Sequence, residues 1–129
     1  MSQIMQMYIV YAFQLIIAIG LVNVWLVRFN KKTMYRGAGA GNMTDEFMAY
    51  GLPKWFMYLV GAGKMAIALC MIAGFWVPML VLPASALLVV LMIGAVAMHA
   101  KVRDPFIRAL PAFLMLAMAV VNVIILQFI

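Results

Sequence analysis

The chain has 129 residues, of which 70% are hydrophobic and only 9% are charged, and its net charge is +6. A soluble domain of this length is nearer half apolar and a quarter charged, so the composition excludes a water-soluble fold and requires lipid to cover the excess apolar surface. The basic residues lie in loops beside long apolar runs, so membrane topology and anionic lipid explain them better than nucleic acid does.

The first 27 residues contain no charged side chain. Residues 8–27 are long enough to span a bilayer. The stretch has neither the basic start nor the small-residue cleavage site of a signal peptide. We therefore expect it to be kept as a first transmembrane helix.

A basic segment, 28–36, follows the first span. The Gly-Ala run at 37–41 lacks the Lys-Ser/Thr pair of a phosphate-binding loop, which favours a flexible linker over a nucleotide site. Residues 42–50 predict a short interfacial helix, with Asn42 or Thr44 as its N-terminal cap.

Three further apolar runs follow, each bounded by helix breakers or charges. They predict an all-α fold, an integral membrane four-helix bundle, formed by a single domain that covers residues 1–129. The four predicted spans are about 8–27, 55–73, 79–100 and 109–128.

The lysines and arginines predict the orientation. All of them except Lys64 lie in the loops 28–54 and 101–108, and the ends of the chain and the turn at 74–78 carry none. The positive-inside rule then makes both loops cytoplasmic and puts both termini outside.

Lys64 lies near the middle of the second predicted span. A lysine at that depth costs about 2.5–3.5 kcal/mol, unless it faces the bundle interior, loses its proton or binds a polar group. Two interpretations remain open: a structural lysine bonded to helix carbonyls or to Asn23, Gln14 or Ser85, and the polar floor of a ligand cavity or proton route. The three acids all lie outside the spans: Asp45, Glu46 and Asp104.

His99 is the one histidine and lies near the cytoplasmic end of the third span. It could be a satisfied interfacial residue or one that binds ligand or exchanges protons. With Cys70 as the one cysteine, no disulfide can form within the chain and no metal site is expected. Asp104 and Pro105 are typical of a capping residue and the first position of the fourth helix. An elongated ligand such as a quinone could contact both Lys64 and His99.

Three stretches, 51–53, 61–64 and 99–105, resemble the DoxX-like family, and the resemblance runs from about residue 28 to the end of the chain. It implies a small bacterial inner-membrane protein of four helices. The family takes its name from a subunit of an archaeal thiosulfate:quinone oxidoreductase; relatives take part in oxidative-stress responses, and a distant eukaryotic branch assists receptor assembly. The chain differs from shorter members of the family in its longer, Gly-Ala-rich basic loop at residues 36–41. The residues that match the family pattern are Gly61, Lys64, His99, Asp104 and Pro105.

Two functions from different classes follow. The first is a protein that binds a quinone or another lipid-like ligand without a covalent cofactor, as the membrane subunit of a redox or stress-response system with a redox partner protein. The second is a non-enzymatic chaperone or assembly module that binds other transmembrane helices; a transporter dimer is disfavoured by the lack of acids in the spans. Enzymatic activity stays open, and a homo-oligomer is compatible with each. The predicted ligand-binding residues are Lys64, His99, Gly61, Asn23 and Asp104.

Overall fold

The computed structural model describes residues 2–128, so Met1 and Ile129, the ends of the predicted domain, lie outside the described residues. Within that range it contains five α-helices and no strand. The helices are α1 (Gln3–Val22), α2 (Met43–Tyr50), α3 (Lys54–Ala73), α4 (Val81–Lys101) and α5 (Phe106–Phe128). This confirms the predicted all-α membrane bundle.

Four segments are long and apolar enough to cross a membrane, so the chain is a multi-pass membrane protein. All four begin earlier than the apolar runs suggest, the first by five residues and the last by three. Helix α1 begins at Gln3 because the hydroxyl of Ser2 accepts a hydrogen bond from the Met5 backbone N–H, at 3.2 Å. The four segments are Gln3–Val27, Lys54–Ala73, Pro78–Lys101 and Phe106–Phe128.

The spanning helices form a closed ring in which α1 contacts α3 and α5, and α4 contacts the same two helices. Apolar side chains from all four helices fill the centre, while the outward faces carry large exposed apolar side chains, as lipid contact requires. The central residues include Val10, Ile17, Ile67, Met71, Leu88, Met92 and Ala119.

Helix α2 is the predicted short helix, and local signals define both of its ends. The Asn42 side chain accepts from the Asp45 backbone N–H at 2.8 Å, which confirms it as the cap. Gly51 ends the helix with φ of 79°, a left-handed conformation that suits glycine. The inner face of α2 is buried in a second apolar cluster at the end of the bundle: Trp25, Met43, Phe47 and Met57.

Candidate functional site

Lys64 is half-buried on α3, and its ammonium Nζ lies 5.3 Å from the ring centroid of Trp25. This distance is within the range of a cation–π interaction, which is worth about 2 kcal/mol or more when desolvated. Among residues 2–128, Lys64 makes no hydrogen bond to Asn23, Gln14 or Ser85, so the partners that the sequence offered for a structural lysine are not used.

Trp25 lies where the last turn of α1 widens. The segment Asn23–Val27 is a π-helical turn, closed by a 2.8 Å hydrogen bond from the Arg28 N–H to the Asn23 carbonyl. Such turns often occur at functional sites. The Trp25 side chain is 6% exposed, so its ring is held inside the protein rather than at the lipid surface.

Gly61 provides the surface on which the Trp25 ring rests. A Cβ atom at this position would lie 2.7 Å from Cζ3 and 2.8 Å from Cε3 of that ring. Since Gly61 and Lys64 are three residues apart on α3, they lie on the same side of the helix. The structure therefore brings two of the predicted site residues together around Trp25, which the sequence did not single out.

Two apolar grooves open sideways on the bundle surface. The first, here called the tryptophan groove, has a volume of about 250 Å³, and the Trp25 ring that Lys64 contacts forms one of its walls, whereas Lys64 itself is not a lining residue. The second encloses about 390 Å³ and contains Asn23, so Asn23 and Gly61 line different grooves. The tryptophan groove is lined by Trp25, Leu26, Phe29, Tyr58, Gly61, Ala62 and Met65.

His99 and Asp104 meet at the end of the bundle that carries the basic loops. His99 Nδ1 lies 2.7 Å from Asp104 Oδ2, and Asp104 Oδ1 accepts from Arg108 Nη1 at 3.0 Å and from the Ala38 N–H at 2.8 Å. Burial raises the pKa of Asp104, but the hydrogen bonds from His99, Ala38 and Arg108 lower it by more, so the pKa lies below its usual value.

The prediction that Asp104 caps the fourth helix is wrong. Within the described residues its carboxylate bonds to side chains and to a backbone N–H from outside α5, and not to the first backbone N–H groups of that helix. The physical reason is that a buried carboxylate gains more from charged partners than from a cap. Helix α5 starts after Pro105, whose carbonyl accepts from the Arg108 N–H at 3.0 Å.

Glu46 forms a second buried carboxylate cluster nearby. Its Oε2 pairs with Arg36 Nη1 at 3.1 Å, and its Oε1 accepts from the Gly37 N–H at 3.0 Å and from the Tyr50 hydroxyl at 2.8 Å. Burial and the Glu46 charge both raise the pKa of Tyr50, which keeps its hydroxyl protonated as a donor. Arg36 also donates to three backbone carbonyl oxygens: those of Arg28, Phe29 and Lys31.

The segment 36–38, here called the anchor segment, is shared by the two clusters. The Gly-Ala run was expected to be a flexible linker, but its first three residues form a 3-10 turn, Gly37–Gly39, bonded to both carboxylates. A Cβ atom on Gly37 would lie 2.1 Å from the Tyr50 hydroxyl oxygen, so the close approach requires glycine. The anchor segment is therefore a packed element.

Sequence reasoning missed Trp25, Arg36, Glu46 and Tyr50. The four-residue spacing of Glu46 and Tyr50 places both on one side of α2 and could have indicated their hydrogen bond. No local pattern links Arg36 to Glu46, because a turn and a helix start separate them. Within the described range no three His, Cys, Asp or Glu side chains come together as metal ligands.

The sequence profile of the DoxX-like family matches residues 33–121. The match covers more than half of the chain and contains the anchor segment, α2, α3, α4 and most of α5. No curated protein and no solved structure matches the chain significantly.

Proposed function

This chain belongs to the DoxX-like family, and we propose that it binds a quinone or another lipid-like ligand as the membrane subunit of a redox or stress-response system. The observation that carries the proposal is Lys64. It is a cation within a membrane span whose neighbour in the described structure is an aromatic ring, and it makes no hydrogen bond to a protein oxygen there. A ligand carbonyl beside Trp25 would supply the missing acceptor.

The energetics favour an added acceptor. An ammonium group has three donors, and the ring of Trp25 can occupy one side of it at most. Hydrogen bonds from charged groups contribute about 1.5–3 kcal/mol, comparable with the cost of placing lysine in the span. The tryptophan groove beside the ring has apolar walls suited to an isoprenoid or acyl chain.

The other predicted ligand-binding residues take different places in this proposal. Gly61 shapes the groove by admitting the ring, while Asn23 faces the neighbouring groove, where it can contact the tail of a ligand. His99 and Asp104 bond to each other, so a direct contact of either with the ligand stays a prediction.

The proposal is tested by measuring how much quinone or lipid the purified protein retains. We would purify the protein in mild detergent, extract it and quantify quinones and phospholipids per protein by mass spectrometry. Lys64→Met removes the ammonium, and Lys54→Met is the matched control, since Lys54 is an exposed lysine on the same helix. We expect wild type and the control to retain one ligand class and Lys64→Met to lose it about tenfold or more, from the lost charged hydrogen bond. Equal ligand content in all three, or none in wild type, would contradict the proposal.

A second candidate is an assembly module that binds other membrane helices. Ala62 and Ala66 are exposed one turn apart on α3, and small side chains allow close approach of a neighbouring helix. Ala66→Leu would block such an approach. It should remove a cross-linked partner or second copy if this function holds and leave ligand content unchanged if the first one does.

We also propose that the basic end of the bundle faces the cytoplasm of a bacterium and that both termini lie outside the inner membrane. The first loop and the α4–α5 turn meet at that end, where Lys101 Nζ donates to the Tyr50 carbonyl at 2.7 Å. All lysines and arginines other than Lys64 lie within residues 28–54 and 101–108, which comprise that loop, that turn and the helix ends beside them, as the positive-inside rule requires of the cytoplasmic side.

A further inference from the structure

We propose that Glu46 and Asp104 are positioning residues for the Lys64 site: by holding the anchor segment they fix α2, and α2 holds Trp25 in place beside Lys64. The part that concerns ligand rests on the proposed function. The part that concerns the position of Trp25 does not, and it can be measured in protein without ligand.

The first step is the attachment of the anchor segment to the bundle. The Ala38 N–H donates to Asp104, which is fixed in turn by His99 of α4 and Arg108 of α5. Ala38 has φ of 55°, an uncommon conformation for alanine that the contact must hold in place. The α4–α5 turn thus holds a loop that is distant from it in the sequence.

The second step is the attachment of α2 to the anchor segment. Glu46 lies on α2 and binds Arg36 and the Gly37 N–H, while the Tyr50 hydroxyl bonds to the same carboxylate from the next turn. The Tyr50 ring also packs edge-to-face on His99, with centroids 6.1 Å apart. Helix α2 is therefore tied to both carboxylates on one side.

The third step is the contact of α2 with the site. Phe47 neighbours Glu46 on α2, and its ring meets Trp25 edge-to-face, with centroids 5.9 Å apart. Phe47 thereby covers one side of the Trp25 ring, which also contacts Phe29, with centroids 5.9 Å apart, the Gly61 position and the Lys64 ammonium. Movement of α2 away from the bundle would uncover Trp25 and change the surroundings of Lys64.

The first experiment measures Trp25 directly. The chain has three tryptophans, so Trp55→Phe and Trp76→Phe leave Trp25 as the one emitter. In this background, without ligand, we would record the emission maximum and quenching by acrylamide. Asp104→Asn and Gly37→Ala each disturb the anchor segment, and Gly41→Ala is the matched control because its Cβ meets open space. We expect a shift to longer wavelength and stronger quenching in the first two variants and no change in the third.

A destabilised control separates positioning from a merely structural role. Leu88→Ala removes a fully buried core side chain far along α4 from the anchor segment. It should lower the unfolding midpoint while leaving the Trp25 emission of the folded protein unchanged. If Leu88→Ala shifts the emission as Asp104→Asn does, or if neither anchor variant shifts it, the proposal is wrong. If Asp104→Asn does not fold, the Trp25 emission of Gly37→Ala alone tests the proposal.

The second experiment links the position of Trp25 to ligand. In the natural tryptophan background, Asp104→Asn and Gly37→Ala should lose quinone or lipid in the same direction as Lys64→Met, with helicity by circular dichroism retained. If the anchor variants shift Trp25 but Lys64→Met keeps all its ligand, the proposed function fails and the positioning role stands. If Lys64→Met loses ligand but the anchor variants keep it, the ligand part of this proposal is overturned.

Discussion

Gly61→Ala tests whether the Trp25 ring is seated on α3. The new methyl carbon would lie 2.7 and 2.8 Å from two ring carbons, whereas carbon atoms in contact are about 3.5–4.0 Å apart, so the ring would have to recede by about 1 Å. Because Trp25 is packed against Phe47 on another side, we expect the strain of an overfilled core, about 1–3 kcal/mol.

The intrinsic preference of helices for alanine opposes this strain. Replacing glycine inside a helix gains about 1 kcal/mol, so Gly61→Ala should range from neutral to a loss of about 2 kcal/mol in the free energy of unfolding. Gly94→Ala is the matched control, since its Cβ would meet nothing within 4 Å, and it should gain about 0.5–1 kcal/mol.

The measurement is denaturant-induced unfolding in mixed micelles, followed by circular dichroism, together with the emission of Trp25 as the one tryptophan. Gly61→Ala should unfold at a lower denaturant concentration than Gly94→Ala. It should also shift the emission maximum of Trp25 and retain less ligand. If the two variants have the same midpoint and the same emission, Trp25 is not seated on Gly61, and the account of the Lys64 site fails with it.

Further predictions concern other parts of the molecule. Asn122→Leu should leave the unfolding midpoint unchanged or raise it, because the amide is fully buried and both of its polar atoms lack a partner in the described structure; a marked fall in thermal unfolding temperature would reveal a bound water or ligand there. The lowered pKa of Asp104 stabilises the fold at pH values above about 4 and ceases to do so as the pH falls through the folded value, so Asp104→Asn should flatten the acid side of a stability-against-pH curve. Unchanged steepness would contradict the hydrogen bonds that hold the Asp104 carboxylate to His99, Ala38 and Arg108. Alkaline phosphatase fused to the C-terminus should be active, and an inactive fusion would reverse the proposed orientation.

The sequence predicted the structural elements that depend on residues close together in the chain. The apolar runs identify the four spans, and Asn42 and Gly51 mark the two ends of α2 by capping and by a left-handed turn. These features depend on neighbours in the chain, so one sequence suffices to find them. Lys64 lies midway along α3, as counting residues along the apolar run predicts, while its depth in the membrane stays a prediction.

The partners of the polar residues could not be predicted in this way. Asp104 next to Pro105 is a good local cap, but the folded protein places His99, Arg108 and the Ala38 N–H around it, and these tertiary partners outcompete the helix start. The Trp25–Lys64 contact depends on how α1 and α3 cross and on the widened turn at the end of α1. Neither leaves a periodic pattern in an all-apolar helix.

The distribution of the acids bears on what Lys64 can bind. Two of the three, Glu46 and Asp104, are buried and already bonded to cations, and Asp45 is exposed beside the cap of α2. Glu46 is paired with Arg36, whose Nη1 lies 3.1 Å from the Glu46 Oε2. Within residues 2–128 the acids therefore leave Lys64 without a carboxylate bonded to it. The proposed ligand would supply an oxygen acceptor to the Lys64 ammonium, so loss of the Lys64 charge and loss of ligand should occur together.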